Sequence, residues 1–225
     1  GLMTVLYWHV LYVVVFKWIH VGDWSHGFLI PVFSLYYLYN QRHRFPGAWY
    51  GTGYAGLLLL LFAGVLYLGG VAYRIDYIKG LSLLIMLFGV VYLTCGWPIA
   101  RWSWFAVAFL LFALPLPQRT YEQITMPLQQ IASSVSAILL NLLPGMDAQA
   151  ENIVVSYNYK GTEGELNVEQ ACSGIRLMMA FVALGVAMAF ASDRPLWHRM
   201  VMILACLPIA VFCNVVRVTT TGLMI

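Results

Sequence analysis

Apolar runs separated by short polar or aromatic loops fill most of the chain. The first, residues 2–16, leads into KWIHVGDWSHG, whose tryptophans suit a membrane–water interface. The second, 28–39, ends in NQRHRFPG; the third, 52–72, ends in YRIDYIKG; the fourth, 81–95, ends in GWPIARW. A fifth, 102–116, closes on Pro115 and Pro117, which stop a helix because proline lacks the amide donor and crowds the preceding turn. Residues 120–143 differ. Gln123, Gln129, Gln130, Ser133, Ser134 and Ser136 interrupt the apolar positions too often for a comfortable span, which predicts an amphipathic helix at the interface or a re-entrant piece. Residues 147–167 are the only extended polar stretch, and NIVVSYNYKGTEGELNV alternates apolar and polar around Lys160-Gly161 as a β-hairpin does. Two more spans, 172–191 and 200–217, flank SDRPLWHR. The pattern predicts an all-α polytopic membrane protein with about seven transmembrane helices, an interfacial amphipathic helix and a small extracytoplasmic hairpin. It forms one integral membrane domain over 1–225, with 120–168 as an insertion.

Composition narrows the class further. Hydrophobic residues make up 62% of the chain and charged residues 9%, against about a quarter charged in a soluble domain, which excludes an ordinary soluble fold. The net charge of +3 is dispersed with no basic run, so nucleic acid is not expected as a partner, whereas membrane lipid is. Cys95, Cys172, Cys206 and Cys213 show no paired or metal-type spacing, so no disulfide scaffold, metal or cofactor is expected. Opening at Gly1 and stopping at Ile225 in a still-apolar segment, the chain reads as a fragment. Arg42, Arg44, Arg101, Arg194 and Arg199 occupy loops that alternate with those carrying Asp23 and Asp76, so the arginine loops are expected in the cytoplasm and the hairpin outside. A full span over 120–143 would reverse everything after it.

The candidate chemistry gathers around VEQACSGIRLMMAF, residues 168–181. A short polar approach containing Glu169 and Gln170 hands over to an apolar helix, which places Cys172 and Ser173 in its first turn. The unpaired N–H groups and dipole there favour thiolate over thiol. Arg176 follows four residues on, on the same face, and an intramembrane charge is costly enough to mark a functional cavity. Against this stands the ordinary use of cysteine as a small apolar residue. Helical rise supports the functional reading. Cys172 lies about 30 Å from Asp193, Arg217 about 27 Å from Arg199 and His26 about 24 Å from Arg42, so all three are expected in the outer leaflet. In CNVVRVTTTG, Asn214 lies one turn below Arg217, and Thr220 and Thr221 one turn above it, which points to a hydrated cleft; the alternative is an arginine snorkelling at a helix end. A thiolate, arginines and a histidine at one depth suit acyl transfer from a peptide through a thioester.

These residues resemble the exosortase and archaeosortase family of membrane transpeptidases. DWSHGFLIPVFSLYYLYNQR, ALPLP with the following MPLQQIAS, ACSGIR and NVVRVTTTG carry the resemblance, which covers most of the chain. It implies that Cys172 is the nucleophile and Arg217 the catalytic arginine, with Arg176 a further motif arginine; depth makes His26 a neighbour of the site, and Glu169 lies one residue before the position where the family commonly has Glu. The implied substrates are secreted proteins ending in a sorting signal made of a short motif, a hydrophobic helix and a basic tail. The implied location is the cytoplasmic (inner) membrane, with the site on its extracytoplasmic side. Gln170 stands where the family commonly has Glu before Ala-Cys, and the family's third catalytic residue, usually a histidine on a later helix, would fall beyond Ile225. Two other classes compete: a transporter or lipid-head-group binder using Arg176 and Arg217 to hold an anion, and a non-catalytic subunit of a surface-polysaccharide assembly. Transport or scaffolding should survive Cys172→Ala; proteolysis should not.

Overall fold

The computed structural model describes residues 5–47, 53–142, 144–159, 162–167, 174–192 and 195–223. The chain divides into two compact units, Gly1–Pro117 and Gln118–Ile225.

In the first unit, α1 (Trp8–His20) passes through a 3-10 turn, Gly22–Phe28, into α2 (Leu29–Asn40), followed by α3 (Ala55–Ala72) and the long α4 (Asp76–Phe109). α4 is two arms rather than one rod. Gly96 has φ 79° and ψ 175°, outside the helical region and reachable because glycine has no Cβ to clash. Pro98 follows, where a new helix begins and its missing N–H removes no hydrogen bond. The second arm returns along the first: Leu84 packs with Val107, Leu110 and Leu114, and a Cβ on Gly80 would lie 2.8 Å from the Leu114 side chain. The segment GWPIARW, expected as a loop, is therefore helical except at Gly96. α3 lies backbone to backbone on α4, since a Cβ on Gly56 would sit 2.6 Å from the Leu93 nitrogen. Close approach of this kind replaces the hydrophobic effect where lipid is the solvent.

The second unit contains α5 (Gln118–Leu140), the strands β1 (Met146–Glu151), β2 (Val154–Tyr159) and β3 (Thr162–Asn167), then α6 (Gly174–Ala191) and α7 (Leu196–Leu223). The strands form an antiparallel sheet in the order β1-β2-β3. β2 and β3 are the expected hairpin, and its tip, Lys160-Gly161, lies outside the described residues. β1 was not expected. Its sequence, MDAQAE, has little β-propensity, but Asn141 holds it: the Asn141 Nδ2 donates to the Ala148 carbonyl at 2.8 Å, and the Ala148 N–H donates to the Asn141 Oδ1 at 2.6 Å. Asn152, with φ 55°, makes the β1–β2 turn, a left-handed conformation asparagine tolerates. On β3, Gly164 has no Cβ, and the Tyr157 ring fills that space.

The α5 helix is amphipathic as expected, yet its buried face carries polar residues, while Gln123, Gln130 and Ser134 are exposed beside several large apolar residues. Thr125, Gln129, Ser133 and Ser136 are buried beside Ala132, Ala137 and Leu140, while Ile131 and Ile138 are 48% and 64% exposed. The inward polar groups find partners: the Thr125 hydroxyl donates to the Tyr121 carbonyl, the Ser133 hydroxyl donates to the Asn152 carbonyl, and the Ser136 hydroxyl meets that of Thr219 at 3.3 Å. An apolar face turned outward is the reverse of a soluble-protein helix. α6 and α7 run antiparallel through small residues. Gly185 lies against Cys206, and Met178 packs on Ala210.

Among the described residues, three helices are long and apolar enough to cross a membrane: Ala55–Ala72, Asp76–Ala113 and Leu196–Thr221. The expected count of seven spans is not confirmed by that criterion: as described, α1 has 13 residues and α2 has 12, against about 20 for a crossing.

Candidate active site

α7 is the best-defined wall of the candidate site. Its C-terminal half carries Asn214 and Arg217 one turn apart, but the helix rotation separates them: Asn214 is buried, whereas Arg217 is exposed. The Asn214 Oδ1 has no hydrogen-bond partner among the described residues and lies at a small cavity lined by Leu128, Met178, Ala210 and Val211. A buried carbonyl oxygen in that state is an acceptor awaiting a donor. The threonines above do less than the sequence implied. The Thr220 hydroxyl donates to the Val216 carbonyl and the Thr221 hydroxyl to the Arg217 carbonyl, so both are engaged by their own helix.

Arg176 is the third residue of α6. Extending the antiparallel match of Gly185 with Cys206 and Met178 with Ala210 puts its backbone level with residues 212–214 of α7. Cys172, Ser173 and Glu169 lie outside the described residues. His26 belongs to the other unit. It is buried in the 3-10 turn Gly22–Phe28, its ring 6.0 Å from that of Trp24, while the Trp18 ring closes over Gly27 and its Nε1 donates to the Ala113 carbonyl at 2.9 Å. Cys95, Cys206 and Cys213 are free and half-buried, and the Cys206 Sγ donates to the Met202 carbonyl at 3.2 Å.

The sequence reading missed one feature. One face of the sheet forms a broad open hollow lined by Asp147, Gln149, Glu151, Ser156, Asn158 and Glu165. Strand alternation alone puts these side chains on one face, so the signal was present in the sequence once β1 is recognised as a strand. No lysine or arginine lines it among the described residues.

A comparison with protein families decides what kind of protein this geometry serves. The family model for the transmembrane exosortase (Exosortase_EpsH) matches residues 18–225. The chain belongs to the transmembrane exosortase family. Membership makes it a membrane protein and points, at family level, to a sorting-related transpeptidase of cysteine type. The stretch matched in this exosortase runs from the His26 turn through Cys172 and Arg176 to Arg217. No curated protein and no solved structure matches it.

Proposed function

We propose that this exosortase-family protein is a membrane cysteine protease-transpeptidase. It cleaves C-terminal sorting signals, each a short motif, a hydrophobic helix and a basic tail, from secreted proteins through a thioester on Cys172. The observation that supports this most is the family match, whose range takes in both ACSGIR and NVVRVTTTG. The Cys172 thiolate attacks the scissile carbonyl carbon and the π electrons move to oxygen, where the exposed Arg217 guanidinium donates hydrogen bonds to the oxyanion. Collapse breaks the C–N bond, and the leaving amine takes a proton from a general acid. An acceptor nucleophile or water then attacks the thioester, the C–S bond breaks and the thiolate is restored. Arg176, in the first turn of α6, favours the thiolate and ties α6 to α7. Asn214 lines the site, with Glu169 and Ser173 close to Cys172 in the chain. The protein resides in the cytoplasmic membrane with this site facing outward, and lipid covers the apolar face of α5.

Two measurements test the reading. Cys172→Ala should abolish processing of a tailed substrate while the protein still accumulates in the membrane; retained processing would rule the chemistry out. An impermeant thiol reagent applied from outside should modify Cys172 and leave Cys95, Cys206 and Cys213 largely untouched. Modification only after access from the cytoplasm would reverse the orientation.

A further inference from the structure

The two edges of the sheet are treated differently, and the difference points to how substrate is held. In an antiparallel ladder, residues alternate between exchanging both backbone bonds with the partner strand and pointing N–H and C=O away from it. Two-residue turns join Glu151 to Val154 and Tyr159 to Thr162. With each turn closed by a bonded pair, the outward-pointing residues are Met146, Ala148 and Ala150 on β1 and Glu163, Glu165 and Asn167 on β3. The β1 edge confirms the phase, since both outward groups of Ala148 are the ones that bond the Asn141 side chain. One edge is thus capped by an asparagine amide acting as a neighbouring strand. The β3 edge has no neighbouring strand among the described residues.

We infer that β3 is the substrate-docking strand. The extended residues on the N-terminal side of the scissile bond add to the sheet as a fourth strand, pairing with the outward groups of Glu163, Glu165 and Asn167. This deepens the transpeptidase reading and rests on it. Three observations carry it. β3 is six residues long, about 20 Å of edge, enough for a five- or six-residue peptide. Asn167 precedes Cys172 by five residues, at most about 18 Å of chain, so a peptide on this edge lies within reach of the thiol. The hollow's Glu165 lies on β3 itself, so a side chain of the added strand on that face meets a carboxylate, while Asp147 and Glu151 on β1 are about 14 Å away. The C-terminal side of the scissile bond is excluded as occupant, because it enters a hydrophobic helix whose backbone bonds internally. Pairing through the main chain supplies affinity without demanding a particular sequence.

The test uses the full-length protein in membranes and a reporter carrying a C-terminal tail of the proposed class from the same genome. Glu165→Pro removes one outward N–H and obstructs the edge, yet proline is tolerated where the N–H faces away from the sheet. Processing should fall about tenfold or more, the scale of losing one or two hydrogen bonds. Glu165→Gln keeps the N–H and should fall no more than about threefold, the scale of one cross-strand charge. A second arm leaves the protein untouched: synthetic tail peptides N-methylated at single positions upstream of the cleavage site should lose processing at alternate residues. Alkylation of Cys172 by iodoacetamide should be unaffected by Glu165→Pro. Uniform tolerance of N-methylation, or equal losses in Glu165→Pro and Glu165→Gln, would eliminate the edge as docking strand. If Cys172→Ala is inactive while the N-methylated peptides are processed normally, the docking proposal alone fails. If Cys172→Ala remains active, the underlying transpeptidase reading fails instead.

Discussion

The packed side and the open side of the sheet follow opposite rules. On the packed side, β1 is fastened to α5 through Asn141 and Ser133, and Ala148 and Val155 are sealed with Ala132, Ala137, Leu140, Val215 and Val218 in one core. On the open side, β3 ends the sheet among the described residues and the acidic hollow faces outward. At the middle of the packed edge, the outward N–H and carbonyl of Ala148 are both capped. Stability and recognition are thereby assigned to different edges of one small element, and substitutions on the two sides should affect different measurements.

Asn141→Ala should have the largest effect on the packed side. It leaves the N–H and carbonyl of Ala148, itself 3% exposed, without their partner, at a cost of about 2–4 kcal/mol for two buried groups. Thermal unfolding and hydrogen exchange in β1 should register the loss, while the activity per folded molecule holds. Arg217→Lys should do the reverse. It keeps the charge but loses the planar fork, so turnover should drop about a hundredfold, the scale of one oxyanion donor, with unfolding temperature, substrate binding and Cys172 alkylation little changed. Near-normal turnover in Arg217→Lys would remove it from the oxyanion role. Ser133→Ala gives up the bond to the Asn152 carbonyl and should cost about 1 kcal/mol, read as a modest fall in unfolding temperature with unchanged processing. The smallest effect belongs to the substrate: lysine placed at alternate positions upstream of the cleavage site should raise processing about twofold to fivefold, as cross-strand charge pairs do. Equal gains at every position would break the link to one face of the sheet.

How much of this could be read from the chain depended on whether the deciding contact was local. The β2–β3 hairpin was legible because alternation and a two-residue turn are both written within a dozen positions. β1 was not, since its ladder is fixed by a side chain outside the strand, Asn141. The two-faced character of α5 was visible in the spacing of its glutamines and serines, but periodicity separates two faces without saying which points inward; Ser133 and Ser136 face inward because Asn152 and Thr219 meet them there. The return of α4 at Gly96 was anticipated as two apolar runs, although the connection proved to be a single non-helical glycine. At the site, the sequence placed Asn214 and Arg217 on one helix, as found, but gave them one polar face, whereas neighbouring helices bury the first and leave the second exposed. The family itself was legible from ACSGIR and NVVRVTTTG and is the one matched.

The Asn141 clamp also bears on the order in which the second unit assembles. Its two bonds span seven residues, and the Ser133–Asn152 bond spans 19, so α5 and β1 meet through short loops whose closure is entropically cheap. β2 and then β3 follow, each across a two-residue turn. Assembly that starts with local contacts therefore zips from the clamped strand outward and completes the β3 edge last. Pulse-labelling hydrogen exchange during refolding into detergent should protect the amides of β1 before those of β3. A newly made molecule would then acquire its stable half before it could engage a client chain.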